Sequence, residues 1–85
     1  MIELNNVEVV VFSTPSCSNC KPLKAWLTAQ GVGFTEVNCD DVDSLERMAT
    51  YNIKSVPTTL TFREGKCIGR VAGFKPKELE AVLQD

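Results

Sequence analysis

Two thiols separated by two residues, Cys17-Ser18-Asn19-Cys20, are the groups in this chain best suited to chemistry. Cysteines at i and i+3 can close a disulfide with little backbone movement, so the pair can cycle between dithiol and disulfide. The same spacing also serves a static disulfide or half of a zinc site, and CxxC alone does not separate these readings. The other two cysteines, Cys39 and Cys67, form no second CxxC, so no four-sulfur metal site is expected. Both read as small, partly buried residues. The chain has no histidine, which removes imidazole catalysis and any zinc site that needs an imidazole ligand.

The elements that must hold the pair are legible on either side of it. The unbroken apolar run Val9-Val10-Val11-Phe12 suits a strand buried on both faces. After the cysteines, Leu23, Trp26 and Leu27 fall at i, i+3, i+4, one face of a core-packed helix. The thiols therefore sit where a central strand becomes a helix. Ser16 reads as the N-cap and Cys17 as the first helical residue, so unpaired N–H groups and the positive helix end should lower the Cys17 pKa. Pro22 inside that helix deletes one bond and predicts a kink near Cys20.

At 85 residues, 44% hydrophobic and 24% charged, the composition is that of an ordinary globular domain, read as one unit over 1–85. The net charge of −2 argues against a nucleic-acid surface. No apolar run approaches the ~18 residues of a membrane span. Met1 to Asn6 lacks the basic and apolar regions of a signal peptide, so a reducing cytoplasm is the expected compartment.

Taken in order, Val7 to Phe12 is the first strand and Cys17 to Gln30 the first helix, stopped by Gly31. Gly33 to Asn38 is a short edge strand. Asp43 and Glu46 resemble a capping box before a second helix, Ser44 to Tyr51, with Leu45, Met48, Ala49 and Ile53 as its apolar face. Thr58 to Arg63 and Lys66 to Ala72 form an antiparallel pair around Glu64-Gly65. Pro76 opens a last helix that buries Leu79, Val82 and Leu83. The order is βαβαββα, an α/β arrangement whose first crossover should be right-handed, with the strand end Ser13 to Cys17 where such folds place ligands.

Cys17-Ser18-Asn19-Cys20 together with Val56-Pro57-Thr58 resembles the thioredoxin and glutaredoxin superfamily over nearly the whole chain. The resemblance implies a minimal glutaredoxin-type, thioredoxin-like fold: a four-stranded mixed sheet in the order 2-1-3-4, flanked by three helices. It also implies a cis Val56–Pro57 bond beside the disulfide. Tyr51 to Thr58 and Phe62 to Lys66 are similar to a thioredoxin, whereas Thr14-Pro15-Ser16-Cys17 is similar to a glutaredoxin. Gly73-Phe74-Lys75-Pro76 resembles the glutaredoxin-like hydrogen donors of ribonucleotide reductase. Two positions depart from the family. Val11 stands where thioredoxins carry a buried Asp that assists proton transfer, and Ala72-Gly73-Phe74 replaces the Gly-Gly and acidic residues that hold glutathione.

The implied activity is dithiol–disulfide exchange, with Cys17 as nucleophile and Cys20 as resolving thiol, and with no bound cofactor or metal beyond the redox-active disulfide. Uncharged Ser18 and Asn19 place the pair on the reducing side. Pro15, Ser16, Ser18, Asn19, Val56, Pro57, Gly73 and Phe74 are expected to meet the substrate, and Lys21, Lys54 and Lys75 could ring it. Expected partners are disulfide-containing proteins and a thioredoxin-reductase-type flavoenzyme, or ribonucleotide reductase, with the chain acting as a monomer and touching neither nucleic acid nor membrane. The rival of another class is a non-catalytic thioredoxin-fold binding or zinc-binding module.

Overall fold

A computed structural model describes residues 7–83. The leader-free reading of Met1 to Asn6 and the last two positions of the single 1–85 unit lie outside the described residues. The elements are β1 (Val7–Ser13), α1 (Cys20–Ala29), β2 (Thr35–Asn38), a 3-10 turn (Val42–Ser44), α2 (Leu45–Thr50), β3 (Thr58–Arg63), β4 (Lys66–Ala72) and α3 (Pro76–Leu83). The sheet order is β2-β1-β3-β4, with β1 and β2 parallel and the other pairs antiparallel, as the resemblance implied.

β1 is buried from Val9 to Ser13 because helices cover both faces. Val9 and Val11 pack with Leu23 and Leu27 of α1, Val71, and Leu79 and Leu83 of α3. Val10 and Phe12 pack on the other face with Val37, Ile53, Leu60 and Phe62, under Met48 and Tyr51 at the α2 side. Each large side chain removed from water contributes about 1.5–3 kcal/mol, so these two clusters are the main favourable term. β3 is likewise covered on both sides: Leu60 and Phe62 are buried on one face, and Thr59 and Thr61 are fully buried on the opposite one.

Local signals set the helix and turn ends. Gly31 (φ 75°) ends α1, with Gly31 N–H donating to Thr28 C=O and Val32 N–H to Leu27 C=O. Asn52 (φ 53°) ends α2 in the same way, its N–H on Ala49 and that of Ile53 on Met48. The Arg70 guanidinium of β4 donates to the Tyr51 carbonyl and, at 2.7 Å, to the Asn52 carbonyl, pinning that end to the sheet edge. Glu64 and Gly65 both have positive φ, the geometry of a two-residue hairpin turn.

The helix starts and caps depart from the sequence expectations. The first helix begins at Cys20, not Cys17, and Ser16 does not cap it; Asn19 holds the cap position without a side-chain bond. Pro22 explains the late start. From Cys20 it is the third helical residue, where its missing N–H would have had no intrahelical partner, so no kink is needed. Asp41, not Asp43, caps the second helical segment, its carboxylate accepting the Asp43 N–H. That 3-10 entry rotates the apolar stripe, leaving Leu45 57% exposed while Ile53 is buried.

Candidate active site

Four strand ends meet at one edge of the sheet. Ser13 pairs with Asn38, and the Cys39 N–H donates to the Ser13 carbonyl at 2.8 Å. Phe12 pairs with Thr58, so the next step of that register sets Pro57 opposite Ser13. Thr58 pairs with Ala72, and one step further the Gly73 N–H donates to the Pro57 carbonyl at 2.7 Å. The Val56–Pro57 bond is cis, as the resemblance implied. The chain leaving β1 therefore enters the cysteine loop within a frame fixed by backbone pairing.

In that loop the Cys17 N–H donates to the Thr14 carbonyl at 3.1 Å, closing a turn that delivers Cys17 to the start of α1. Cys17 and Cys20 are joined in a disulfide with Cα atoms 5.4 Å apart. Cys17 is half-buried, whereas Cys20 is 1% exposed as the first residue of the helix. This asymmetry suits one accessible sulfur and one held behind it. The helix N-terminus falls at Cys20, so Cys17 lies ahead of the helix and not in its first position.

Of the residues expected to meet substrate, Pro15, Ser16, Ser18 and Asn19 are exposed around the disulfide. Val56 and Gly73 are half-buried and Pro57 is buried. Phe74 is half-buried and packed against the α1/α3 core, as is Trp26. Lys75 pairs with Glu78 at 3.7 Å. Cys39 packs against the Phe12 cluster, but Cys67 is exposed on β4, correcting the expectation that both are partly buried. Among the described residues no group of three or more His, Cys, Asp or Glu side chains is placed to hold a metal ion.

Beside the disulfide lies a cleft of about 330 Å³ lined by Ser13, Pro15, Cys17, Cys20, Lys24 and Glu36, with Thr14, Lys21 and Asn38 completing the wall. Glu36 was not anticipated as a site residue. Its Oε2 accepts the Ser13 hydroxyl at 2.6 Å and the Lys24 ammonium at 2.8 Å. The Lys24 bond first, then that of Ser13, holds the carboxyl below its ordinary pKa, against an opposing contribution from burial. The β1–β2 register, which sets Glu36 opposite Val11, brings it to the cysteines. For Cys39, burial and then the Asp40 charge push the thiol pKa up.

A glutaredoxin family model matches residues 9–61, a span that contains both redox cysteines and Pro57. Thioredoxin of Staphylococcus aureus is 33% identical over 85 residues, covering 95% of this chain and 82% of its own length. Among solved structures, thioredoxin f2 of Chlamydomonas reinhardtii superposes with a TM-score of 0.79 at 27% identity, covering 94% of this chain and 78% of that one. The short form of thioredoxin f from spinach chloroplast gives 0.83 at 22% identity over 95% and 76% of the two chains, a likeness of fold.

Proposed function

The chain belongs to the thioredoxin and glutaredoxin superfamily, and we propose that within it Cys17 and Cys20 reduce the disulfides of protein partners by two successive exchanges. It is a dithiol–disulfide oxidoreductase. The observation carrying the finer reading is the asymmetric pair: a half-buried Cys17 beside exposed Pro15, Ser16, Ser18 and Asn19, with Cys20 closed off behind it. Cys17 thiolate attacks a partner sulfur, forming a mixed disulfide and releasing the other partner sulfur as thiolate. Cys20 thiolate then attacks Cys17 Sγ, closing the Cys17–Cys20 bond and expelling the second partner sulfur. Two electrons pass to the partner.

Val56, Pro57, Gly73 and Phe74 form the opposite lip, where the Gly73–Pro57 hydrogen bond keeps two loops together and an extended partner segment can lie. Recycling by a thioredoxin-reductase-type flavoenzyme is supported by the likeness to Staphylococcus aureus thioredoxin and by Ala72-Gly73-Phe74 in place of a glutathione-holding Gly-Gly. Such a reductase works where thiols are kept reduced, which supports a cytoplasmic setting. The glutaredoxin match favours a second reading, electron donation to ribonucleotide reductase, which Gly73-Phe74-Lys75-Pro76 also supports.

The test is insulin reduction driven by NADPH with thioredoxin reductase, against the same assay driven by glutathione with glutathione reductase. Turnover with the first and little with the second is expected. Turnover only with glutathione would overturn the recycling route, and no turnover in either would overturn the reductase reading.

A further inference from the structure

In the second exchange Cys20 must act as a thiolate, because the thiol itself is a poor nucleophile. Cys20 is 1% exposed, so its anion forms almost without hydration, and burial alone favours the protonated form. The helix N-terminus offers partial compensation, but the proton still needs a destination. The chain has no histidine, and Val11, fully buried beneath α1, supplies no acid there. Cys20 instead forms part of the wall of the 330 Å³ cleft, whose ionisable lining besides the two cysteines is Lys21, Lys24 and Glu36.

Lys24 follows Cys20 by four residues, so both lie on one helix face, and helical side chains lean back toward the N-terminus. The Lys24 ammonium is thereby carried along the cleft wall toward the Cys20 turn, where Glu36 Oε2 holds it at 2.8 Å. Ser13, 2% exposed, fixes the same oxygen from β1. The other carboxylate oxygen, Oε1, accepts no hydrogen bond among the described residues. On the far side of β2, Glu36 also borders a shallow groove carrying Asp41, Asp43 and Arg47. Of all these charged neighbours, only Lys24 is bonded to it.

We propose that Glu36 and Lys24 act as a proton and charge exchange couple for Cys20: Glu36 takes the Cys20 proton, and the Lys24 ammonium it releases balances the new thiolate. The inference rests on the exchange reading of Cys17 and Cys20. Cys20–SH and Glu36 carboxylate become Cys20 thiolate and Glu36 carboxylic acid, so the net charge of the cleft is unchanged. Glu36 starts ionised, as an acceptor must, because Lys24 and Ser13 hold it so. The transfer runs through solvent in the cleft that both residues line. The thiolate pair then attacks Cys17 Sγ, the Cys17–partner S–S bond breaks, and its electron pair leaves on the partner sulfur. That sulfur takes the proton from Glu36, which recovers Lys24.

The test is stopped-flow mixing of the reduced protein with 5,5′-dithiobis(2-nitrobenzoate), in a Cys39→Ser, Cys67→Ser background. The first, bimolecular release of thionitrobenzoate reports Cys17 attack, and the second, unimolecular release reports Cys20 resolution. In the nearly isosteric Glu36→Gln variant the first phase should be unchanged. The second should slow about tenfold at pH ~6.5, less than the ~10²–10⁴ of a fully engaged base because bulk water competes in an open cleft. The deficit should shrink steadily as pH rises past the free thiol value of about 8.5, because hydroxide takes over from the carboxylate. Lys24→Met should move the midpoint of the second phase upward in pH while also sparing the first. A Glu36→Gln second phase that superposes on wild type at every pH would overturn the couple. Absence of both phases in the unsubstituted Glu36 protein would instead overturn the exchange reading itself.

Discussion

Gly73 donates its backbone N–H to the Pro57 carbonyl at 2.7 Å, so the loop after β4 and the cis-proline loop before β3 form one lip of the candidate site. Gly73 holds φ 86°, and a Cβ there meets nothing within 4 Å, so the demand on this residue is conformational rather than steric. Gly73→Ala should lower stability by about 1–2 kcal/mol, the cost of left-handed backbone for an L-residue. Any relaxation of the loop pulls on Pro57. Insulin reduction should therefore fall several-fold while release from a small aromatic disulfide changes little; equal losses on both substrates would assign the lip no part in binding protein partners.

Gly69 is required for a different reason. A Cβ at Gly69 would lie 2.5 Å from Thr61 Oγ1 and 2.7 Å from Val82 Cβ, in the seam where α3 closes on the sheet. Gly69→Ala should destabilise by about 1–3 kcal/mol through overpacking. Gly33→Ala, with open space around the added methyl, should stay within about 0.5 kcal/mol. Urea midpoints of the two variants measured side by side check the contrast.

Glu36 should leave a mark on acid stability. Its folded pKa lies below the ordinary value of 4.5, so its contribution is present above that value and is lost as pH falls through the folded one. The Tm difference between wild type and Glu36→Gln should thus be widest near neutrality and shrink below pH 4.5. The half-exposed Lys24–Glu36 pair keeps this effect small. A difference that grows on acidification would contradict the sign.

The two remaining cysteines should separate by reactivity. Cys67 is exposed on β4, whereas Cys39 is half-buried with its thiol pKa raised by burial and by Asp40. Iodoacetamide at about pH 8, just below the free thiol value, should alkylate Cys67 first in the oxidised protein and Cys39 much more slowly. Peptide mass mapping reads the order, and denaturation in urea should bring the rates together.

What could be read from the sequence was local. The Val9–Phe12 run, the CxxC at a strand-to-helix junction, the Gly31 stop, the Glu64-Gly65 turn and Pro76 at the start of α3 all declare themselves within a few residues. The late start of α1 was also written there, in Pro22, whose missing N–H is harmless only if the helix opens no earlier than Cys20. Leu45 misled because its spacing fits a helical stripe, but the Asp41 cap and 3-10 turn rotate that stripe away from Ile53. Glu36 was not legible at all. Its meeting with Ser13 and Lys24 depends on pairing Val11 with Glu36 across the β1–β2 ladder, a register set by the tertiary packing of the crossover. Thr59 and Thr61, buried without a hydrogen-bond partner for their hydroxyls, were hidden for a related reason, since helices cover both faces of β3.

The central claim is that the half-buried sulfur attacks and the closed-off sulfur resolves. Intact-mass analysis of reduced Cys20→Ser and Cys17→Ser proteins, each mixed with a disulfide-containing protein partner, tests it most directly. Cys20→Ser should accumulate a stable adduct mapped to Cys17 and released by dithiothreitol, while Cys17→Ser should form none at Cys20 and reduce no insulin. An adduct at Cys20 in the Cys17→Ser protein, or insulin reduction that survives loss of Cys17, would contradict the account.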